Sequence, residues 1–445
     1  MDIIKKKMNM NIIKIGGAVL RSVEGFNKTI DILNEAPKPL LVVFSAFSNA
    51  TRILERAARM AETGNKSQAL ANVNLIIKEH NQYADLLITD ILHLDKLRNK
   101  FKLASHRLKE IITGLDITRE LTPRTLDSIL SFGEYFALWT IEFFLLERGF
   151  KIKCIDSADI IVSSSDFGKA RPLLEPTNDN IVNILKPELD NFQIIITQGF
   201  IAKDRNGDIT TMGIESSNLT AVLYAELLGA KEITFWTDVE GIRTADPKII
   251  PNTLNIPSMN YYDAYKLASN GLKLIFSEMA SHASLKEIKL IYRSAFNPGG
   301  EYTIIDKDSI IEKSAFILVN DLVKLSFKIS NRYEKKLFLN EIMEINYNFQ
   351  NSEIIVNQDL ISIFISKNDW NHFKLSNNYN YESEVFCSII NIIFNKKTQN
   401  NFFNILEEYK NEIIALIIDE NMAKIAVRED LKSVILNKLY LTQFD

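Results

Sequence analysis

The stretch Asn11-Ile12-Ile13-Lys14-Ile15-Gly16-Gly17 decides the fold class: a short apolar run that stops on two glycines. Runs of this kind read as buried strands, and residues 40–45, after the turn signals Pro37 and Pro39, repeat the pattern. Further strands are expected at 152–155, 193–197, 232–237 and 289–293, with a hairpin over 201–212 turning on Arg205-Asn206-Gly207-Asp208. Helical stretches separate these runs, which is the pattern of a mostly parallel α/β sheet. Residues 216–228 open with the capping residues Ser216, Ser217 and Asn218 and close at Gly229, and 260–270 ends at Gly271, so both read as helices. From 52 to about 149 the apolar spacing becomes three and four, marking a helical insertion.

Past a boundary at 305–315 the grammar changes to βαββ. The first unit is a strand at 324–329, a helix at 333–345 and strands at 353–356 and 360–366. The second is 386–394, a helix at 401–409, strands at 413–419 and 422–427, and a last helix from Glu429. A repeat of roughly sixty residues fits two tandem ferredoxin-like sandwiches. The expected domains are therefore 9–310, carrying the insertion at 52–149, then 315–385 and 386–445.

Composition narrows the class. A chain of 445 residues exceeds one ordinary core, and its 46% hydrophobic and 24% charged content describes a globular protein. With a net charge of −4 and no basic block after Lys5-Lys6-Lys7, no nucleic-acid partner is expected. The apolar helix near 135–146 contains Glu142 and falls short of the ~20 residues a membrane span needs, so no membrane is expected either. The first residues lack the apolar core and cleavage site of a secretion signal, so a cytoplasmic location is expected. Cys154 and Cys387 sit in strand-like runs, as reduced cysteines do, and the five histidines show no metal spacing.

Lys14 beside Gly16 and Gly17 can neutralise a phosphate while backbone N–H groups approach it; an ordinary turn explains the same residues. Ser45 to Arg52, SAFSNATR, suits hydrogen bonding to a small polar ligand or capping of the next helix. Glu134 reads as the start of an apolar helix, where its carboxylate meets the helix dipole or binds a cation such as an ammonium. Residues 237–248, TDVEGIRTADPK, form a polar loop after a strand, the place where α/β proteins bind nucleotides.

The order of segments is more specific than any one of them. KIGGAVL at 14–20, VVFSAFSNAT at 42–51, SFGE at 131–134, ITQGFIAKDRNGDITTMG at 196–213, FWTDVEGIRTADPKIIP at 235–251, GLKLIFSEM at 271–279 and AFNPGG at 295–300 resemble aspartate kinases in sequence, order and spacing. The resemblance covers residues 11–305. It implies an amino-acid-kinase fold, a three-layer αβα arrangement around a mostly parallel sheet, followed by two α+β ACT domains. It also implies phosphoryl transfer from ATP, with Mg²⁺, to the β-carboxylate of L-aspartate, in the pathway to lysine, methionine and threonine. Lys14, Gly16, Gly17 and Asn218 then serve the transferring phosphate. Ser45, Thr51, Glu134 and Ser217 serve aspartate, and Thr237, Asp238, Arg243, Asp246, Lys248 and Lys273 the nucleotide. Pairing of ACT sheets into a homodimer or larger homo-oligomer follows, as does an amino-acid effector, although the glycine loop that ACT domains use for one is not evident at 328–338.

One segment departs from the pattern. The family's Gly-Arg-Gly-Gly-Ser-Asp reads here Gly213-Ile214-Glu215-Ser216-Ser217-Asn218. Ile214 cannot make the two-pronged grip of an arginine on a carboxylate, and Glu215 adds a negative charge where anions are expected. Arg52, placed where the family has a neutral asparagine, is the candidate replacement. A changed acceptor, or a nucleotide-binding regulatory protein without turnover, are the competing readings.

Overall fold

Strand β1 (Asn11–Ile15) is parallel to both of its neighbours, which places the opening stretch in the middle of a sheet. The computed structural model describes residues 10–47, 49–213, 216–346, 353–370, 379, 381, 383–394, 402–419 and 421–441. Two compact units divide the chain. One runs to Ile242 and resumes over Glu278–Ser309; the other takes Arg243–Ser277 and everything from Ile310.

In the first unit the strands that position the site are β1, β2 (Leu40–Phe44), β3 (Ile152–Cys154), β4 (Ile194–Gln198), the hairpin β5 (Ile201–Asp204) and β6 (Ile209–Thr211), β7 (Glu232–Thr237), β8 (Lys289–Ser294) and β9 (Tyr302–Asp306). The central sheet runs β9-β8-β7-β1-β2-β4-β3, parallel except for β9. β2 and β4 are buried at every position, as strands covered on both faces must be. Ile13, Ile15, Val42, Phe44 and Ile196 pack into one large core with the helices of the insertion. Their alternates Ile12, Leu41, Val43 and Ile195 are equally buried. Helix α6 (Ser217–Leu228) packs against β1, β2 and β7.

The insertion consists of four helices, α2 (Ala50–Glu62), α3 (Lys66–Leu87), α4 (Ile91–Thr118) and α5 (Pro123–Glu147), packed against one another after α1 (Val23–Glu35) and β2. Helix α5 is long and apolar enough to cross a membrane, and 72% of its most apolar window is buried inside the unit. It starts eleven residues before Glu134, at Pro123, with Thr122 Oγ1 accepting the Thr125 N–H at 3.1 Å. The expected helix start at Glu134 is thus corrected. Thr122-Pro123 is the cap and first-turn proline, and Glu134 lies about 16 Å inside, beyond reach of the dipole. Helix α6 (Ser217–Leu228) ends at Gly229 in the left-handed conformation, a glycine position.

The second unit carries α7 (Tyr261–Ser269) and a six-stranded antiparallel sheet. Its elements are β10 (Ala315–Lys328), α8 (Arg332–Asn346), β11 (Glu353–Asn357), β12 (Leu360–Ser366), β13 (Ser383–Ile393), α9 (Phe402–Glu408), β14 (Ile413–Ile418), β15 (Met422–Arg428) and α10 (Lys432–Leu441). The strand order is β11-β12-β10-β13-β15-β14. The strand expected at 324–329 is the second half of the 14-residue β10, because the apolar residues Ala315 to Val319 extend it backwards. A register shift separates its halves: Ala315 to Val319 pair with β13 alone, whereas Leu322 to Ser326 have β12 on one side and β13 on the other. Each βαββ repeat therefore completes its four-stranded layer with a strand from the other. The expected boundary at 385/386 falls inside β13.

Candidate active site

The carboxyl ends of β1, β2, β4 and β7 are adjacent, and the chain reverses its order between β1 and β7. In α/β sheets this crevice is where ligands bind. At the end of β1 the Gly16 N–H donates to Trp236 O at 3.0 Å, tying β1 to β7. A Cβ on Gly16 would lie 3.3 Å from Trp236 O and 3.6 Å from Lys14 Nζ, so the glycine leaves room for the lysine to fold back over the strand end. Because Gly16 spends its N–H on Trp236, Gly17 supplies the free backbone donor: its N–H takes no partner among the described residues.

Glu134 is 4% exposed. Its carboxylate accepts the Ala46 N–H and feels the Lys14 ammonium. Burial pushes its carboxyl up to about 8, against the opposing pull of these two donors. Oε2 is buried without a hydrogen-bond partner. A buried carboxylate oxygen left unpaired is costly, and an incoming ammonium would satisfy it.

The loop after β2 presents Ser45, whose N–H donates to Ile15 O at 3.3 Å, and then Ala46 and Phe47. Asn49 stands at the cap of α2 in the left-handed region and makes no side-chain cap bond, so capping does not account for this loop. Thr51 is half-buried in the first turn of α2. Arg52 is exposed and forms no ion pair or hydrogen bond among the described residues.

After β4, a Cβ on Gly199 would fall 2.6 Å from both Cα and Cβ of Ser217. Only glycine allows α6 to begin this close to the strand, which buries Ser217 (5% exposed) and Asn218 (7%). Ser216 caps α6 by position and makes no side-chain cap bond. Ile214 and Glu215 lie outside the described residues.

At the end of β7, Thr237 Oγ1 donates to Val239 O at 2.9 Å and accepts the Val239 N–H at 3.2 Å, closing a tight turn. Asp238 pairs with Arg21 at 3.4 Å. Glu240 accepts from Asn297 Nδ2 at 2.8 Å and from the Glu301 N–H at 3.3 Å, which fastens this turn to residues 297–301. Glu240 and Asn297 stand in the quoted segments 235–251 and 295–300 without being singled out there, and Arg21, at the end of a short 3-10 helix, carried no signal of this role. Asp127 went unread too. Fully buried on α5, it accepts from the Gly168 N–H (2.8 Å), the Thr211 N–H (2.8 Å) and Thr211 Oγ1 (2.7 Å), holding β6 to the insertion.

Arg243, Asp246, Lys248 and Lys273 belong to the second unit. Arg243 donates to Thr253 Oγ1 and Thr253 O. Asp246 organises a turn, accepting from the Lys248 N–H at 2.9 Å, and leaves Lys248 exposed. Lys273 is exposed just after Gly271, whose φ of +104° and 2.8 Å clearance to Val319 Cγ2 admit glycine alone. This segment is bound to α10 by Thr244 Oγ1 with Tyr440 Oη (2.8 Å), and to the antiparallel sheet by Phe316 N–H to Thr244 O (2.7 Å) and Asn391 Nδ2 to Asn270 O (2.9 Å). Among the described residues, no three His, Cys, Asp or Glu side chains converge as a metal cage.

Residues 9–291 match the amino acid kinase family. The chain belongs to this family. It is 28% identical over 297 residues to lysine-sensitive aspartokinase 3 of Escherichia coli (strain K12), an alignment covering 66% of this chain and 63% of that one. With aspartokinase 1, chloroplastic, of Arabidopsis thaliana it shares 26% over 341 residues, 75% of this chain and 59% of the relative. The matched part is thus under two thirds of the length of these relatives. The fold agrees with the crystal structure of E. coli aspartokinase III in complex with aspartate and ADP (R-state), with a TM-score of 0.82 at 21% identity, covering 98% of this chain and all of that one.

Proposed function

We propose that this protein is an aspartate kinase, transferring the γ-phosphoryl group of ATP to the β-carboxylate of L-aspartate to give 4-phospho-L-aspartate. The observation that carries this reading is Glu134: a buried carboxylate with one unpaired oxygen, beside Lys14, at the carboxyl edge of a parallel sheet. That oxygen is suited to the ammonium of an amino acid. The relatives are aspartokinases by name, which agrees.

A carboxylate acceptor is already an anion and needs no general base, so the protein's task is to bring two anions together and stabilise spreading charge. Lys14, the Gly17 N–H and the residues at Gly16 and Asn218 face the transferring phosphate. Ser45, Thr51, Glu134 and Ser217 orient aspartate, and Arg52 takes its α-carboxylate in place of the arginine absent at 214. Thr237, Asp238, Arg243, Asp246, Lys248 and Lys273 take nucleotide roles. Mg²⁺, when bound with ATP, neutralises phosphate charge. Residues 9–310 form the catalytic part and 315–445 the regulatory part, through which the chain assembles in the cytoplasm as a homo-oligomer. An amino acid is the effector; E. coli aspartokinase III has been crystallised with lysine and aspartate.

The residues Ile214 and Glu215 favour one second reading, a kinase with an altered acceptor. ATP turnover with Mg²⁺, with and without L-aspartate, trapping acyl phosphate as hydroxamate, separates the two. Aspartate-dependent hydroxamate supports the first; hydroxamate formed only with another amino acid supports the second.

A further inference from the structure

His80 lies on α3, in the insertion, away from the sheet that carries the candidate site. Among the described histidines it alone is fully buried. Nδ1 stands 2.8 Å from Ile76 O, one turn back on the same helix, and donates to it. Nε2 is then the lone-pair nitrogen, and it is buried without a partner. Burial holds the ring's pKa down to about 4, so it is neutral around pH 7. What the ring does offer is its face: it lies parallel to the ring of Phe47, with centroids 4.6 Å apart and 1° between planes.

Phe47 is the anchor of the loop after β2. It is 2% exposed, with Phe26 edge-on at 5.7 Å and Tyr83 at 5.1 Å completing its surroundings. On one side of it in sequence are Ser45 and Ala46, whose N–H binds Glu134; on the other, Phe47 O accepts the Ala50 N–H at 3.1 Å and leads into Thr51. The groups assigned to aspartate therefore hang on the placement of one aromatic ring. Misplacing a substrate-positioning group by about 1 Å is enough to cost catalysis heavily.

We infer that the helical insertion serves the acceptor site, and that His80 is a positioning residue: its stack fixes Phe47, and through Phe47 the spacing of Ser45 and Thr51 from Glu134. This rests on the acceptor site proposed above.

The test uses the full chain as parent, His80→Leu, which keeps bulk and removes the ring, His80→Phe, which restores a ring without the orphan nitrogen, and Phe47→Leu. His80→Leu and Phe47→Leu should raise the KM for aspartate about three- to tenfold, the range that the directional part of an aromatic pair supports, with the KM for ATP within about twofold. His80→Phe should return the parent value. Backbone hydrogen exchange of peptides spanning 45–52 reads the loop without any need for turnover: faster in the two leucine variants, parent-like in His80→Phe. Unchanged exchange in His80→Leu overturns the inference, as does an aspartate KM that stays at the parent value in an active enzyme or moves equally with that for ATP, or a phenylalanine that fails to rescue. A parent without aspartate-dependent turnover counts against the acceptor assignment, while exchange still shows whether His80 sets the loop.

Discussion

The loops after β2 and β7 both leave the carboxyl edge of one sheet, yet they are held in opposite ways. The β2 loop is held by a buried ring, Phe47, and a single N–H bond to a buried carboxylate. The β7 turn is held by polar contacts, the half-buried one of Thr237 with Val239 and the more exposed ones of Asp238 with Arg21 and Glu240 with Asn297 and Glu301. Packing sets a position to within a fraction of an ångström, whereas exposed hydrogen bonds and ion pairs are each worth little and yield to salt. Of the two sides proposed above, that of the acceptor is thus the rigid one by construction and that of the nucleotide the adjustable one.

The widest break in this contrast should come where charge meets the reacting group. Lys14→Ala is expected to lower kcat by about 10²- to 10³-fold in the hydroxamate assay, the loss seen when one preorganised donor is removed. Glu134→Ala comes next: the KM for aspartate should rise by roughly 30-fold or more, as when a buried charged partner is truncated, with ATP binding by calorimetry unchanged. The same residue gives a pH signature. Glutamate in the unfolded chain titrates near 4.5 and Glu134 in the folded chain near 8, so between these values the native state keeps a proton that the unfolded state has shed. Stability without ligand should therefore fall as pH rises from about 5 to about 8, and Glu134→Gln should abolish that slope in thermal melts. Saturating aspartate, whose ammonium needs the ionised form, should flatten it too.

Smaller effects sharpen the contrast from the other side. Arg52→Ala should raise the aspartate KM by about tenfold if its guanidinium holds the α-carboxylate, the worth of one charge-assisted hydrogen bond; a value within twofold of the parent removes Arg52 from the site. Glu240→Ala should raise the KM for ATP only about two- to fivefold, and that increase should shrink at high salt, since surface polar contacts are screened.

The sheet was legible because its strands are continuous apolar runs, and β7 over Glu232–Thr237 matches its expected span residue for residue. Polar residues of the candidate site were legible for the same reason: Lys14 and Thr237 on strands and Glu134 on a helix interrupt apolar sequence. The start of α5 lies at Thr122-Pro123, eleven residues before the expected one, and the burial that makes Glu134 informative comes from the β2 loop and α2, which are distant from it in sequence. His80 gave no signal at all. It is one histidine in a helical pattern, and its meaning depends on a ring 33 residues away that only the fold brings to 4.6 Å. Ser388 and Asn391, buried on β13, were hidden likewise, since a strand's alternation does not tell which polar residue will find a partner.

The exchange of strands in the second unit bears on how this region could have arisen and how it can be edited. Because Ala315 to Val319 of β10 lie against the second repeat and Cys387 to Ser383 of β13 against the first, neither repeat is a module that can be deleted, transplanted or expressed alone with a complete sheet. Truncation anywhere between 383 and 393 severs the seam itself, and a chimaera with a relative's regulatory region must exchange both repeats together.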